Sequence, residues 1–304
     1  MNTECPDWMS LSTFNTPDPF VRLHEEIIDF YEYSKMKPQN IREHKCILKT
    51  IEELSKKVWS DCKVCFYGSS QTGLWLPGSD LDILVFTKTE ESSENCVVKL
   101  AAEITESGIA EEIQRIISAR VPIIKIIHKV TKTPVDISFN CTKGLEGVRF
   151  VRDYLERYPE VKYLVFVLKH FLKQKGLGET YNGGVGSFLL FCMVVSSLQH
   201  HPFYSNPENQ TKYNLAHYFL HFLHLYGVKF NYSKFSISIL EGGCYLRKWG
   251  CEGPTYITVE CPLDPFEDLG RSSFAMDKVQ KAFRKALYKI SSSRCGLSLI
   301  LNAI

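Results

Sequence analysis

The chain has 304 residues, of which 44% are apolar and 23% are charged, and its formal net charge is +2. This composition excludes disordered and collagen-like proteins and is enough for two globular domains. The small charge also means that a nucleic-acid ligand would need local basic residues or a partner protein for much of its binding.

Neither a signal peptide nor a membrane span is evident in the sequence. The first ten residues carry two acids and no basic or apolar leader region, and no apolar run reaches the roughly 18 residues that a bilayer requires. We therefore expect a soluble, non-secreted protein with no membrane partner. The eleven cysteines fall at irregular spacings, which is typical of reduced thiols.

The first part of the chain changes from helical to strand-like patterns. Helical periodicity covers residues 18–34 and 40–59. Short apolar runs typical of strands follow at 62–68, 81–87, 111–118, 121–130 and 134–139, with a helical segment at 94–107.

Beyond Asn140 the pattern is mostly helical. The predicted helices lie at 145–157, 160–175, 187–199, 214–226 and 275–290. Residues 229–265 favour loops and short strands. We therefore expect an α+β fold, with a small domain of mixed sheet and helices at 40–143 and a mostly helical domain formed by 8–39 and 144–304.

Two spacings that resemble metal motifs have simpler interpretations. Cys62 and Cys65 have CxxC spacing, but residues three apart on a strand point to opposite faces, so we favour buried thiols over zinc. His217, His221 and His224 share one face of a predicted helix. Because no carboxylate or cysteine accompanies them, a polar helix face is the better interpretation.

The most informative segment joins a Gly-Ser pair to two aspartates. Gly68 and Ser69 follow a strand and precede a predicted helix, where backbone N–H groups and a hydroxyl can hold the outer phosphates of a nucleotide. Asp80 and Asp82 stand two apart at the start of the next strand, so both carboxylates should project from one face. A hard divalent cation would relieve the repulsion between them.

A later acid completes this pattern. Asp136 lies within the otherwise apolar strand at 134–139, where an unpaired charge would be costly. Phosphoryl transfer by two metals requires carboxylates that hold ions about 3.5–4 Å apart. An isolated DxD or Gly-Ser pair would mean little, but the joint pattern predicts a two-ion Mg²⁺ or Mn²⁺ site formed by Asp80, Asp82 and Asp136.

This combination resembles the signature of the DNA polymerase β-like nucleotidyltransferase superfamily. Further motifs are similar to those of the template-independent, noncanonical poly(A) RNA polymerases of nuclear TRAMP complexes, and the likeness runs from about Trp8 to Ile290. The segments that carry it are 67–69, 76–82, 119–125, 163–165, 167–169, 183–188, 225–227 and 270–273. The resemblance implies a catalytic palm domain and a helical PAP-associated central domain with the active site in the cleft between them.

The resemblance also implies roles for individual residues. Ser69 would bind the triphosphate, and Asp136 would help to remove the proton from the RNA 3′-hydroxyl. Lys169 and Lys173 match a pair of lysines that contact phosphates, and their i, i+4 spacing puts both ammonium groups on one helix face. Without the likeness, a solvated basic face would be the preferred interpretation.

Nucleotide recognition is implied by two further segments. Ser187 matches a phosphate-binding hydroxyl, and Phe188 takes the place of an aromatic that stacks on the base, although a core aromatic is an equally good interpretation. Glu267 and Asp268 lie in the segment that resembles the base-reading loop. As acceptors they can bind the N6 amino group of adenine, which uracil lacks, so they favour ATP. An Asn is more usual at Glu267, which leaves base selectivity open.

The sequence therefore predicts an enzyme that adds adenylates from ATP to RNA 3′ ends in the nucleus, with the nucleolus as a further location. The resemblance implies two partners of a TRAMP-like complex, a zinc-knuckle RNA-binding protein and an RNA helicase. A uridylyltransferase of the same fold and a catalytically inactive scaffold for RNA or proteins are the alternatives. A small-molecule nucleotidyltransferase would share the Gly-Ser and DxD motifs but not those of the helical domain.

Overall fold

The computed structural model describes residues 4–119, 121–205, 214–248, 256–292 and 296–301. Arg120, part of one predicted motif, lies outside them. The chain forms two compact units, one of Lys35–Asp153 and one of Met1–Ser34 with Tyr154–Ile304. No helix among the described residues is long and apolar enough to cross a membrane.

The unit at 35–153 is built around a five-stranded mixed sheet. Its elements are α3 (Pro38–Val58), β1 (Lys63–Phe66), α4 (Ser69–Thr72), β2 (Leu81–Phe86), α5 (Ser93–Ser107), β3 (Ala110–Ile116), β4 (Ile123–His128), β5 (Pro134–Phe139) and most of α6 (Thr142–Arg157). The strand order is β1-β2-β5-β4-β3. β2 and β5 are parallel, and the other neighbours are antiparallel. This mixed sheet with helices confirms the predicted α+β class.

The alternation of apolar and polar residues along β2 and β5 decides which face of the sheet is buried. Leu81 and Ile83 of β2 and Val135 and Ile137 of β5 are fully buried. They pack with apolar side chains of α3 and α5 in one hydrophobic cluster, and each such burial is worth roughly 1.5–3 kcal/mol. The residues between them must therefore point to the opposite face.

The second unit is mostly helical. Its helices are α1 (Leu11–Phe14), α2 (Pro19–Ser34), α7 (Val161–Lys173), α8 (Ser187–Gln199), α9 (Pro202–Ser205), α10 (Asn214–His224) and α11 (Met276–Ser292). Two short hairpins accompany them: β6 (Phe235–Ser238) with β7 (Cys244–Arg247), and β8 (Glu260–Cys261) with β9 (Asp264–Asp268). β6, β7 and β8 lie within residues 229–265, where the sequence predicts loops and short strands, and β9 begins there but ends beyond it at Asp268.

A close approach of two helices explains one of the glycine motifs. α10 continues into a π-helical turn at Leu225–Lys229. A Cβ added at Gly227 would lie 2.7 Å from the backbone nitrogen of Arg284 in α11. Because only glycine leaves space for that contact, the motif at 225–227 is explained by packing.

A buried carboxylate fastens α2 to the segment that follows α11. Glu26 is fully buried. It accepts a hydrogen bond from Arg22 Nε at 2.9 Å and another from the backbone N–H of Leu297. Burial raises the pKa of this carboxyl. Gln174, which follows α7, also donates to the carbonyl of Ile300. Residues distant in sequence therefore contact each other within this unit.

Candidate active site

The sheet face opposite the hydrophobic cluster carries a row of polar residues. Asp82 of β2 is in register with Asp136 of β5, Asp136 with Lys125 of β4, and Lys125 with Gln114 of β3. Directly paired residues on neighbouring strands project from the same face. The sheet therefore brings Asp82, Asp136 and Lys125 side by side, although 54 positions separate the two acids in the sequence.

Asp80 enters this face from the connection that precedes β2. The connection is anchored by Trp75, which is only 5% exposed and donates from its indole N–H to the carbonyl of Ser79 at 3.1 Å. Its ring also packs edge-on against His44 of α3, with centroids 4.9 Å apart. The spacer between the Gly-Ser pair and the DxD therefore folds in a fixed path onto the core.

Gly68 lies directly against one of the aspartates. Its φ is +61°, and a Cβ added there would lie 2.1 Å from Asp82 Oδ2. Ser69 follows at the start of α4, and its carbonyl accepts from the backbone N–H of Leu74 at 3.1 Å. The Gly-Ser pair is therefore adjacent to the DxD in space, as the motif predicts, and glycine is required for the contact.

Lys125 is the cation that the acids share. Its Nζ lies 2.7 Å from Asp136 Oδ2 and 3.9 Å from Asp80 Oδ2. The Asp136 side chain is only 15% exposed, whereas those of Lys125 and Asp80 are 39% and 48% exposed. An ion pair so placed offsets the desolvation of the Asp136 carboxylate.

The donor set suits a hard divalent cation. Asp80, Asp82 and Asp136 offer only carboxylate oxygens, which Mg²⁺ and Mn²⁺ prefer. That one ammonium group contacts two of them shows that they are close enough to share a cation. In the described part of the chain, no three His, Cys, Asp or Glu side chains are grouped closely enough to hold a metal ion. Asp80 and Asp136 are instead grouped around the ammonium group of Lys125.

A cavity of about 630 Å³ opens beside these acids on the same sheet face. Its lining includes Asp80, Lys125 and Asp136, followed across the sheet by Gln114 and Glu112. The polar row thus continues into a space that can accept a ligand or a moving side chain.

Tyr67 and Ser138 lie behind the acids. The Ser138 hydroxyl donates to Tyr67 Oη at 3.3 Å. A Cβ added at Gly144 of α6 would come within 2.8 Å of the Tyr67 ring, so α6 packs closely on the ring. Burial, and then the nearby Asp82 carboxylate, raise the pKa of the Tyr67 phenol. The phenol is therefore neutral, and its hydrogen bond links the residue after β1 to β5 across β2.

The predicted phosphate-contacting residues of the helical unit lie on two helices. Lys169 and Lys173 are on α7, where Lys169 is half-buried and Lys173 exposed. Ser187 is the exposed first residue of α8. Phe188 is half-buried, with its ring stacked on Phe191 at a centroid distance of 6.2 Å. Phe188 is thus neither a fully buried core aromatic nor a free surface ring.

The predicted base-reading acids lie at the end of β9. Asp268 Oδ1 accepts hydrogen bonds from the backbone N–H groups of Val259 and Gly270, at 2.9 and 2.8 Å. This carboxylate therefore has a structural role in closing the hairpin. Glu267 precedes it in the same strand.

The histidines of α10 differ from the predicted polar face. His217 is half-buried, with its ring 4.2 Å from that of Phe20, and His221 lies 4.7 Å from the ring of His201. Burial lowers the pKa of both. Only His224 is exposed. The first two side chains belong to an aromatic cluster because bulky rings of neighbouring elements cover this part of α10.

The CxxC pair lies at the start of the sheet. Cys62 is 5% exposed, and Cys65 is half-buried in β1. Burial raises the pKa of both thiols. Reactive or metal-binding cysteines have lowered pKa values, so these two residues behave as packing groups.

Lys125 is the site residue that the sequence interpretation missed. It stands alone as a cation in the apolar run Ile123–His128. A lone charge in an apolar strand needs a partner, and this holds for Lys125 as it does for Asp136. That signal predicts an ion pair, although it does not identify the partner.

Two family models match the chain. Residues 23–156 match the central palm domain of the mitochondrial-like poly(A) RNA polymerases. Residues 214–267 match the Cid1 family poly A polymerase domain.

Similar proteins are known among curated sequences and solved structures. The chain is 33% identical to poly(A) RNA polymerase protein 1 of Saccharomyces cerevisiae, over 90% of this chain and 44% of the relative. It is also 33% identical to the inactive non-canonical poly(A) RNA polymerase protein Trf4-2 of Drosophila melanogaster, over 88% of this chain and 68% of that protein.

A solved structure of the polymerase core of TRAMP, an RNA surveillance complex, superposes with a TM-score of 0.86 and 28% identity. The match covers 94% of this chain and 96% of that one. The chain spans 37–44% of the length of the first three curated relatives.

Proposed function

Because the chain belongs to the noncanonical poly(A) RNA polymerase family, we propose that it is a template-independent RNA nucleotidyltransferase that adds adenylates from ATP to RNA 3′ ends. The observation that carries this proposal is the register of Asp82 with Asp136 on neighbouring strands, with Asp80 and Asp136 close to one cation.

The reaction forms a bond between the RNA 3′-oxygen and the α-phosphorus and breaks the α–β phosphoanhydride bond, which releases pyrophosphate. Asp80, Asp82 and Asp136 would hold the divalent cations, which supply electrostatic stabilisation of the triphosphate and the attacking oxygen. Asp136 would accept the proton of the 3′-hydroxyl on its carboxylate. The half-buried position of this group favours proton transfer over exchange with bulk water.

Nucleotide contacts are assigned to both parts of the chain. We assign the catalytic palm domain to residues 40–143 and the helical central domain to 8–39 and 144–304.

Gly68 and Ser69 would approach the phosphates of the nucleotide. The negative charge of these phosphates would be bound by Lys169, Lys173 and Ser187. Phe188 would stack on the base, for which its ring is partly exposed. Glu267 would accept from the adenine amino group, with Asp268 holding the loop in place.

Partners would strengthen RNA binding. The net charge of +2 is small for a protein that binds RNA by itself. A zinc-knuckle RNA-binding protein and an RNA helicase of a TRAMP-like complex in the nucleus would supply additional contacts. The proposal rests on the relationship to TRAMP-type polymerases.

A tailing assay tests the function. The purified chain is incubated with a labelled oligo(A) and each of the four NTPs in turn, with Mg²⁺ or Mn²⁺. We expect extension with ATP. Clear preference for UTP would instead identify a uridylyltransferase.

Variants of the acids distinguish an enzyme from a catalytically inactive scaffold. We expect Asp80→Ala and Asp136→Ala each to reduce tailing by at least about 10²-fold, because each removes a ligand of the divalent cations that would neutralise charge at the reacting phosphate. The variant Asp61→Ala, at an exposed position before β1, is the matched control. Equal activity in all four proteins would contradict the metal mechanism. Absence of tailing in the wild type would favour a scaffold, as the name of the Drosophila relative suggests for that protein.

A further inference from the structure

We propose that Lys125 is a built-in counter-cation of the acidic edge formed by Asp80, Asp82 and Asp136, which holds these acids together without metal and must leave when divalent cations bind. The inference rests on the proposed function, because it concerns how the same carboxylates receive their metal ions.

The acidic edge needs positive charge whenever it is formed. Asp82 and Asp136 are neighbours in register on β2 and β5, so the backbone fixes their proximity in the folded protein. Like charges so placed repel each other and destabilise the folded state. Lys125 is fixed in the same way, in register with Asp136 on the other side. Its ammonium group is therefore held at the edge by the sheet.

Lys125 binds oxygens that a metal ion would use. Its Nζ contacts Asp136 Oδ2 at 2.7 Å and approaches Asp80 Oδ2 at 3.9 Å. A divalent cation on these two carboxylates would lie within a few ångströms of the ammonium charge, and the two cations would repel each other. Metal binding and the present position of Lys125 therefore oppose each other.

The structure offers Lys125 an alternative position. The cavity beside the acids is lined by Gln114, its neighbour in register, and by Glu112, one step diagonal to it on β3. A diagonal neighbour is within reach of a long, flexible side chain. Lys125 can therefore leave the acids and still meet a carboxylate and an amide.

Competition between Lys125 and divalent cations for the same carboxylates has two measurable consequences. Removal of the Lys125 charge should destabilise the metal-free protein, since the repulsion between the acids is then less compensated. The same change should tighten divalent cation binding, since no ammonium group has to be displaced. A lysine that served only to shape the site would have the opposite effect on metal affinity, because its loss would disorder the ligands.

The test compares Lys125→Met with the wild type in the absence of nucleotide. Mn²⁺ binding is measured by the electron paramagnetic resonance signal of the free ion, and melting temperature is measured with EDTA and with Mn²⁺. We expect Mn²⁺ to bind about three- to tenfold more tightly to the variant. We also expect a lower melting temperature in EDTA and a larger rise on addition of Mn²⁺.

Three further variants serve as controls. Lys129→Met removes a charge from an exposed position just beyond β4 and should leave Mn²⁺ affinity near that of the wild type. Lys125→Arg retains the charge and should not tighten binding. Lys125→Gln removes the charge but keeps a hydrogen-bond donor, and it gives the same comparison if the Met variant is unstable.

Unchanged or weaker Mn²⁺ binding by both Lys125→Met and Lys125→Gln would overturn the inference while leaving the proposed function intact. If the wild type bound no Mn²⁺, or if Asp136→Ala bound it equally well, the metal site of the proposed function would fail, and the inference with it.

Discussion

Gly68 shows how much a single residue contributes to the acidic edge. Its positive φ allows the chain to turn from β1 into α4, and its lack of a side chain leaves space for Asp82. These are separate requirements, because a positive φ disfavours any side chain, whereas the contact excludes even a methyl group. Gly73 ends α4 with a φ of +77°, but nothing lies within 4 Å of its missing Cβ.

Alanine substitutions distinguish the two requirements. We expect Gly68→Ala and Gly73→Ala each to lose about 1 kcal/mol of unfolding free energy from the strained backbone. Only Gly68→Ala should abolish tailing and weaken Mn²⁺ binding, because its methyl group displaces the Asp82 carboxylate. Chemical denaturation and the tailing assay measure both effects. Comparable activity of the two variants would show that this contact is not needed for catalysis.

Individual residues were predictable from the sequence where a local pattern requires them. The two-residue spacing of Asp80 and Asp82 places both on one face whatever the strand pairs with. The alignment of Lys125 with Asp136 was not predictable, because it depends on the register between β4 and β5. Hydrophobic alternation determines which face a side chain joins but not which neighbour it meets.

At the scale of elements, the bounds of long periodic helices were predicted more closely than those of short ones. The helix predicted at 187–199 is observed with the same bounds as α8. A helix was expected after Gly68 and Ser69, but α4 has only four residues and therefore no periodicity that could define its end. The β8–β9 hairpin is also short, so few backbone hydrogen bonds join its strands. The side chain of Asp268 supplies additional hydrogen bonds there.

The contribution of Asp268 to this hairpin can be measured. Asp268→Ala leaves the backbone N–H groups of Val259 and Gly270 without their acceptor. We expect a loss of about 1–3 kcal/mol and faster hydrogen exchange at these two amides. Asp268→Asn keeps the Oδ1 acceptor and should lose less. If the alanine variant exchanged as slowly as the wild type, the carboxylate would not be holding the loop.

A second element-scale prediction concerns His201, which follows α8 and packs on Tyr218 and His221 of α10. It is 6% exposed, and its Nδ1 accepts from the backbone N–H of Phe203 at 3.1 Å. Burial, and then the nearby His221, lower the pKa of His201 to about 4. The folded state therefore holds this ring neutral, whereas the unfolded chain protonates it below about pH 6.5.

Stability should consequently fall as the pH drops from 6.5 towards 4. By pH 5 the contribution of His201 to the unfolding free energy should decrease by about 1–2 kcal/mol. His201→Asn, which can retain an acceptor, should flatten this part of the curve, whereas the exposed His224→Asn should not. Urea unfolding at pH 7 and pH 5 measures the difference. Parallel curves for wild type and His201→Asn would contradict the assignment.

At the scale of the whole molecule, the order of patterns along the sequence predicted an α+β part followed by a helical part. An N-terminal helix with an apolar stripe has to be covered by other elements, and α2 packs with α7 and α10, more than 100 residues away in the sequence. The contact between Glu26 of α2 and Leu297, in the segment after α11, is polar and specific. Because a buried carboxylate meets a backbone N–H, no hydrophobic pattern could have predicted the pairing of Glu26 with Leu297.

The pairing of Glu26 with Leu297 also sets an order of events during synthesis. The ribosome makes α2 and then the entire 35–153 unit before residue 297 exists. The sheet-bearing unit is continuous in sequence and can fold as soon as it emerges. The helical unit cannot bury Glu26 of α2 in its final contact until the segment that contains Leu297 has been translated. Truncation or slowed translation near residue 297 would therefore leave α2, which is made long before that residue, without its partner.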